Sequence, residues 1–431
     1  MTLKNILYFA FVAALFIGTG ILQSWNLALS VLNYAIISAV MAQGVNMQWG
    51  YAGLFNTGVM GFVALGGLAV VLTSAAPVPD AWAAGGPRIL GALVLGALII
   101  GLAIFLYKRM HKGRARNLTM LVVLVGGFFL YRAVLDPAVV AVEAVRPASA
   151  GFLGGLGLPI LFSWPVGGVL AAVAAWAIGK TALGLRSDYL AIATLGIAEI
   201  VLAVMKNEDW MDRGVKNVIS LPRPVPYEVN LQQAPWFLDM AAKYHFDPVV
   251  GSSVMVKLMY AGLFSVVLII VLILAELMLK SPWGRMMRAI RDNETAAEAM
   301  GKDVTRRHLQ VFILGSAVIG IAGAMMTTID GQLTPTSYQP LRYTFLVWVM
   351  VIVGGSGNNW GSLLGGFLIW WLWSQMESIG PATMGLITAG LPDGGLKSHL
   401  IDAAAQMRLL MMGVVLLLVL RFSPRGLIPE R

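Results

Sequence analysis

The 431-residue chain contains no cysteine. Disulfides, thiolate metal sites and cysteine nucleophiles are therefore excluded. Histidine is scarce. His111, His245, His308 and His399 are the only four, and no two stand at ligand spacing, which argues against a structural zinc site. Charge is sparse too: Lys, Arg, Asp and Glu make up 12% of the chain, against roughly 25% in a soluble domain. A water-soluble fold this apolar could not cover its own surface. Catalytic signatures are also missing, with no H-E-x-x-H, no G-x-S-x-G and no dinucleotide fingerprint. AAWAIGKT (Ala174 to Thr181) ends like a phosphate-binding loop. That motif needs glycine where Ala174 stands, and a strand-to-helix turn where an apolar run ends here. No catalytic residue, metal site or cofactor is expected, and any ATP site must belong to another subunit.

What remains is apolar. Hydrophobic residues make up 58% of the chain, and the mean hydropathy is +0.79. Long apolar runs recur from 6–22 through 406–421, most near the roughly 20 residues that span a bilayer. A β-barrel would show alternating segments of about ten residues. The expected fold is an all-α polytopic integral membrane protein, one membrane domain over 1–431. About 10–12 transmembrane helices are expected, with Gly-rich breaks or a re-entrant hairpin at the short runs 342–354 and 361–375. The N-terminal run carries one lysine and no A-x-A cleavage site, so it reads as a retained first helix rather than a signal peptide.

The formal net charge is +9. In a soluble protein that would suggest nucleic acid. Here the basic residues gather in a few loops, so the charge reads as topology and no nucleic-acid partner is expected. With Lys4 in the cytoplasm, successive crossings place Lys108–Arg116, Lys180–Arg186, Lys280–Arg307 and the tail from Arg421 on the inside. The opposite side receives the Pro-rich loops and the long mixed-charge loop 206–253. A multi-pass membrane protein, in contact with lipid and with both termini cytoplasmic, is the expectation.

Two stretches interrupt the apolar pattern: NMQWGYAGLFNTGVMGFVALGG (Asn46 to Gly67) and VGGSGNNWGSLLGGF (Val353 to Phe367). Non-helical backbone at membrane depth survives only where protein or a water-filled cavity covers it, and paired interruptions point to a transport pathway. Tight packing through small residues explains the same glycines and is compatible with a pathway. Asn46, Asn56, Thr57, Asn358 and Asn359 are candidate pathway residues. Glu199, a carboxylate within an apolar helix, is either a sixth or a structural group; it should face the bundle interior with a partner.

SPWGRMMRAIRDNETAAEAMG (Ser281 to Gly301) is the longest charge-rich stretch. Pro282 and Gly284 break the preceding helix. Arg285, Arg288 and Arg291 recur every three residues and make one face cationic. A second short helix follows, with Asp292 or Asn293 as its cap, Glu294 and Glu298 near its positive end and Gly301 as its stop. Ala296, Ala297 and Ala299 leave one side small. The stretch reads either as a headgroup-lying connector or as a docking helix for a cytosolic partner.

Taken together, GYAGLFNTGVMGF, LRSDYLAIATLGIAEIV, GRMMRAIRDNETAAEAMG, VIVGGSGNNWGSLLGGF and the terminal RGLIPER resemble a membrane permease of an ABC importer for branched-chain amino acids, specifically the larger, M-type subunit. The resemblance implies that Ala296, Ala297 and Gly301 match the A-A-x-x-x-G core of the cytoplasmic loop, within 280–308, that docks an ATPase. Glu294, Arg288 and Arg291 lie on the same segment. It also implies a second, shorter permease, two cytosolic ATP-binding subunits, an extracytoplasmic substrate-binding protein and alternating access. Two departures stand out: Asn56-Thr57-Gly58-Val59 replaces the family's Ser-Leu-Gly-His, and 108–135 looks like an addition. Importers of urea and short amides have similar permeases. An ion-coupled secondary transporter, with Glu199 essential, is the alternative from another class.

Overall fold

The computed structural model describes residues 3–185, 187–390 and 394–430. Arg186 and Arg431, which belong to the expected inner basic clusters, lie outside the described residues. The first helices are α1 (Leu3–Leu22), α2 (Trp25–Asn46), α3 (Val59–Ser74), α4 (Pro79–Arg109), α5 (Arg114–Glu143), α6 (Ser163–Ala182) and α7 (Ser187–Asn207). Three short helices decorate the following loop: α8 (Asp209–Asp212), α9 (Glu228–Gln232) and α10 (Pro235–Tyr244). Then come α11 (Pro248–Lys280), α12 (Pro282–Asp292), α13 (Glu294–Ala299), α14 (Val304–Asp330), α15 (Leu346–Gly354), α16 (Asn359–Thr388), α17 (Gly395–Asp402) and α18 (Met407–Phe422). Among the described residues eight helices are long and apolar enough to cross a membrane, and the bent pair of α17 and α18 can supply a ninth span. The chain is all-α and polytopic, and the only β pairing among the described residues is an isolated bridge between Val218 and Leu333.

Helix starts follow side-chain chemistry. Ser24, Asp247, Ser281, Asn293, Asp303 and Asn358 each place a side-chain oxygen on a free N–H of the first turn of α2, α11, α12, α13, α14 and α16. Proline at the first position of α11 and α12 costs nothing, because that N–H has no intrahelical partner.

At the centre, α2 and α14 pack against α3, α6, α11 and α16. The helices approach closely where glycine faces glycine: a Cβ on Gly66 would collide with the Gly320 carbonyl. Lipid supplies no hydrophobic drive between helices, so such close contact is what holds them. By contrast, α4 and α5 pack mainly on each other around their own small core of Ile89, Ala92, Leu135 and Ala138.

The ends of the bundle sort by charge. Phe9 meets Trp360 edge-on at 6.2 Å, the tail pairs with Val353 and Gly354, and α12 reaches Gly50. The start of α1, the tail, the α12–α13 segment and both Gly-rich breaks thus share one end. Gly179, near the end of α6, packs on Leu309 at the same end. The opposite end holds the 144–162 and 206–253 loops, with Leu153 bonded to Trp210 and Val218 to Leu333.

The short runs behave differently from each other. Leu341–Phe345 is a π-helical turn leading into α15. It begins beside Tyr34, partway along α2, since Arg342 and Tyr34 share a small cavity, and ends at the basic end. The return helix α16 is 30 residues long and runs past this level to the far end, where Gln375 meets Gln23 and Thr19.

Candidate functional site

The two Gly-rich breaks, about 300 residues apart in sequence, meet face to face. After Asn46 the α2 helix loosens into a π-helical turn, Met47–Tyr51, a form that recurs at functional sites. Gly50 then lies so close to Gly357 that any Cβ would collide with the Gly357 amide. Both Gly355 and Gly357 have positive φ, 120° and 82°, which only glycine adopts readily.

Asn359 is the hub of this junction and is fully buried. Its Oδ1 accepts from Asn46 Nδ2 at 3.2 Å and from the Tyr51 hydroxyl. Its Nδ2 donates to Glu276 Oε1 at 3.0 Å, and its carbonyl accepts from Gln43 Nε2 at 2.6 Å. Asn46 Oδ1 in turn accepts from the Gly357 N–H at 2.8 Å. Asn358 caps α16 through Oδ1 and donates to the Pro429 carbonyl at 3.0 Å. A buried amide bonded on both its oxygen and its nitrogen fixes the geometry of the backbone around it.

A second cluster lies on the returning limb of the first break. Asn56, also fully buried, donates to Gln48 Oε1 at 2.8 Å and accepts from the Gly58 N–H. Gln48 donates to the Phe312 carbonyl and to Ser316 on α14. Trp348 Nε1 donates to the Asn56 carbonyl at 2.9 Å. Thr57 bonds the Ala191 carbonyl of α7, and its N–H donates to Thr194.

Arg291, at the end of α12, ties these parts to the tail. Its guanidinium donates to the Gly50 carbonyl and pairs with Glu430 at 2.8 Å. Leu427 and Ile428 continue the attachment through backbone bonds to Val353 and Gly354, both 2.9 Å. An open cleft of about 540 Å³ is bordered by Gly50, Gly53, Arg291, Ser356, Arg425 and Glu430.

The charge-rich segment therefore has two faces. Met287 and Ile290 bury α12 against the bundle. Arg285 turns out, Arg288 is half-buried, and Arg291 points in. On α13, Asn293 Oδ1 accepts from Ala296 N at 2.9 Å, and Gly301 ends the turn with φ +75° and open space around it. Glu294, Ala296 and Met300 are exposed, Met300 at 79%, whereas Ala297 is only 8% exposed and packs inward. Ala296 and Ala297, adjacent in sequence, do not share a surface.

The structure brings Asn46, Asn358, Asn359 and Arg291 together, and Asn56 with Thr57. Glu199 belongs to neither group. It is exposed on α7, on the same face as Ile192, Leu195 and Ile200; this differs from the inward orientation expected for it. The inward face of α7 is occupied by Leu190, Ala191, Thr194, Ala198 and Leu202, and a regular helix cannot turn position 199 to that side. Three partners escaped the sequence reading. Glu276, a carboxylate in the apolar run of α11, carried the same signal as Glu199. Tyr51 and Glu430 carried none.

The family of "branched-chain amino acid transport system / permease component" matches residues 138–420. The high-affinity branched-chain amino acid transport system permease protein LivM of Escherichia coli (strain K12) is 26% identical over 272 residues, 62% of this chain and 56% of that protein. The probable branched-chain amino acid transport permease protein LivM of Methanocaldococcus jannaschii is 25% identical over 267 residues, 61% of this chain and 67% of that one. A probable LivH permease of the same archaeon is 30% identical over 104 residues, 24% of this chain and 32% of that protein. The chain thus spans little more than half the length of the first of these relatives. No solved structure matches. With two thirds of its length matched, the chain belongs to the family of permease components of branched-chain amino acid transport systems.

Proposed function

We propose that the chain is the larger permease subunit of an ATP-driven importer of branched-chain amino acids, working by alternating access. A second permease, two cytosolic ATPases and an extracytoplasmic binding protein complete the machine, and the 206–253 loop is the largest surface for the binding protein. The basic end faces the cytoplasm of a bacterial cell.

The observation that carries this reading is Arg291. It connects an exposed spur, α12–α13, to the carbonyl of one Gly-rich break and, through Glu430, to the tail that holds the other. An effector shifts a two-state protein only through differential affinity for its states. A nucleotide-driven ATPase that grips α13 has through Arg291 a direct mechanical route to both breaks.

The docking surface is tested at Ala296, which is exposed. In the complete transporter, Ala296→Asp should lower labelled-leucine uptake at least about tenfold, a loss of roughly 1.4 kcal/mol in coupling, and release the ATPase on purification. Unchanged uptake with the ATPase retained would sink the docking assignment. Ala297 is the wrong probe, because a charge there is buried and disturbs folding.

A further inference from the structure

A second polar cluster lies away from the breaks. Tyr34 is nine residues into α2, about 14 Å along the helix axis, at the level where α14 ends and the Gly331 carbonyl accepts from Leu221 of the 206–253 loop. Its ring stacks on Trp370 of α16 at 5.7 Å and 28°, and its hydroxyl donates to Asp330, the last residue of α14. The Arg342 guanidinium lies over the Trp370 ring at 5.4 Å and over Tyr343 at 5.2 Å.

Two donors in this box have no acceptor. Arg342 Nε and Trp370 Nε1 are both buried without a hydrogen-bond partner, and Trp370 is only 7% exposed. Buried N–H groups left unpaired are uncommon and costly. No ion pair joins Arg342 to Asp330 among the described residues, and Asp330 keeps an exposed edge. Arg342, Trp370 and Tyr34 line one small cavity, whose remaining wall includes Met326, Val347 and Met350, and Asp330 adjoins it through the Tyr34 hydroxyl. The cavity holds about 10 Å³, room for at most one water. In this conformation the box is closed.

We propose that the box is a subsite for a free amino acid on its way through the chain. Arg342 Nε and Trp370 Nε1 donate to the carboxylate, Asp330 accepts from the ammonium, and the methionine-lined wall receives the apolar side chain. The unmet donors ask for an anionic acceptor, the carboxylate beside them asks for a cation, and the wall asks for a hydrocarbon. A zwitterion with an apolar side chain meets all three needs. Methionine suits the last, since its flexible thioether adapts to leucine, isoleucine and valine alike. This assignment rests on the amino-acid transport reading.

Because the chain has no cysteine, a single one can be introduced as a reporter. Ser38 is 5% exposed and lines the same cavity, so Ser38→Cys is a conservative change. In membranes containing the complete transporter under turnover, N-ethylmaleimide labelling is read from the intact mass of this chain. Leucine, at ten times its half-protecting concentration, should slow labelling about tenfold by simple mass action. Leucinamide, which lacks the carboxylate, and 4-methylpentanoate, which lacks the ammonium, should protect poorly. Adding Trp370→Phe, which removes only the N–H, or Arg342→Lys should abolish protection by leucine while labelling without leucine persists. The subsite is overturned if the reporter transporter takes up leucine and leucine gives no protection, if either second substitution leaves protection intact, or if Ser38→Cys is never labelled. A transporter that takes up no leucine overturns the transport reading instead.

Discussion

At the scale of single residues, Arg291 is the side chain on which the most depends. It bonds one carbonyl and makes two ion pairs, with Glu430 and with the neighbouring Asp292, and is about a quarter exposed. Hydrogen bonds to a charged group of this kind contribute about 1.5–3 kcal/mol each. Arg291→Ala should cut uptake at least tenfold while the ATPase still copurifies, because the exposed face of α13 is untouched. Arg291→Lys, which keeps the charge but reaches fewer acceptors, should recover part of the rate. Loss of both uptake and ATPase binding would instead make Arg291 a docking residue. Asp212 offers a test of a different kind. It is fully buried in the loop beyond α7, and burial pushes its carboxyl up to about 7, against the lowering effect of the Gly214 N–H bond. A raised folded-state value means the folded protein holds the proton longer than the unfolded one. Stability therefore falls as pH rises from about 4 to about 7 and then levels off. Asp212→Asn keeps the acceptor for Gly214 and removes the charge. Thermal unfolding of the purified protein should show the variant more stable than wild type at pH 8, by on the order of a few kcal/mol, and no more stable at pH 4. A gain of the same size at both pH values would refute the ionisation.

At the scale of elements, the hairpin of α4 and α5 stands apart. Its helices are 31 and 30 residues long, yet they bury little outside their own seam, and the family match begins only at residue 138. The hairpin's two ends are close, since Asp80 and Arg146 form an ion pair at 2.9 Å. Replacing 81–145 by a short Gly/Ser linker should leave the remaining bundle folded and monodisperse on size exclusion; aggregation on removal would mean the bundle depends on the hairpin. The sequence marked 108–135 as an addition but not the full extent of its two helices, which run on through Pro87 and Pro137. Elsewhere local chemistry was legible. Pro282 with Gly284 and the Gly301 stop lie where the pattern placed them, and of the two caps it allowed, Asp292 or Asn293, the structure uses Asn293. The contact between the two breaks was not legible. No period or spacing relates Gly50 to Gly357, and Glu430 enters the junction from the end of the chain. Orientation around a helix axis was equally hidden at α7, where the exposed and the buried faces are both apolar and hydropathy cannot tell them apart.

At the scale of the whole molecule, that ambiguity becomes informative. Glu199 lies in the middle of α7 and faces away from the bundle, between exposed Leu195 and Ile200. A carboxylate in the middle of a span does not face lipid at equilibrium; it faces protein or a water-filled path. Gly196, one turn before it, has nothing within 4 Å of where a Cβ would stand, which leaves room for another helix to approach closely. A second membrane chain packed on α7 resolves the conflict, and the proposed second permease is the candidate. Glu199→Leu then separates two outcomes. If α7 faces lipid, leucine removes a misplaced charge, so the purified chain should unfold at a higher temperature and the assembled transporter should be unaffected. If α7 faces the second permease, the same change deletes a polar contact across the interface. The two chains should then copurify less completely and uptake should fall, while Glu199→Gln, able to keep a hydrogen bond, should be milder. The second pattern is expected, because a single subunit whose outer surface is otherwise so apolar has little reason to hold one carboxylate at that depth unless another surface covers it.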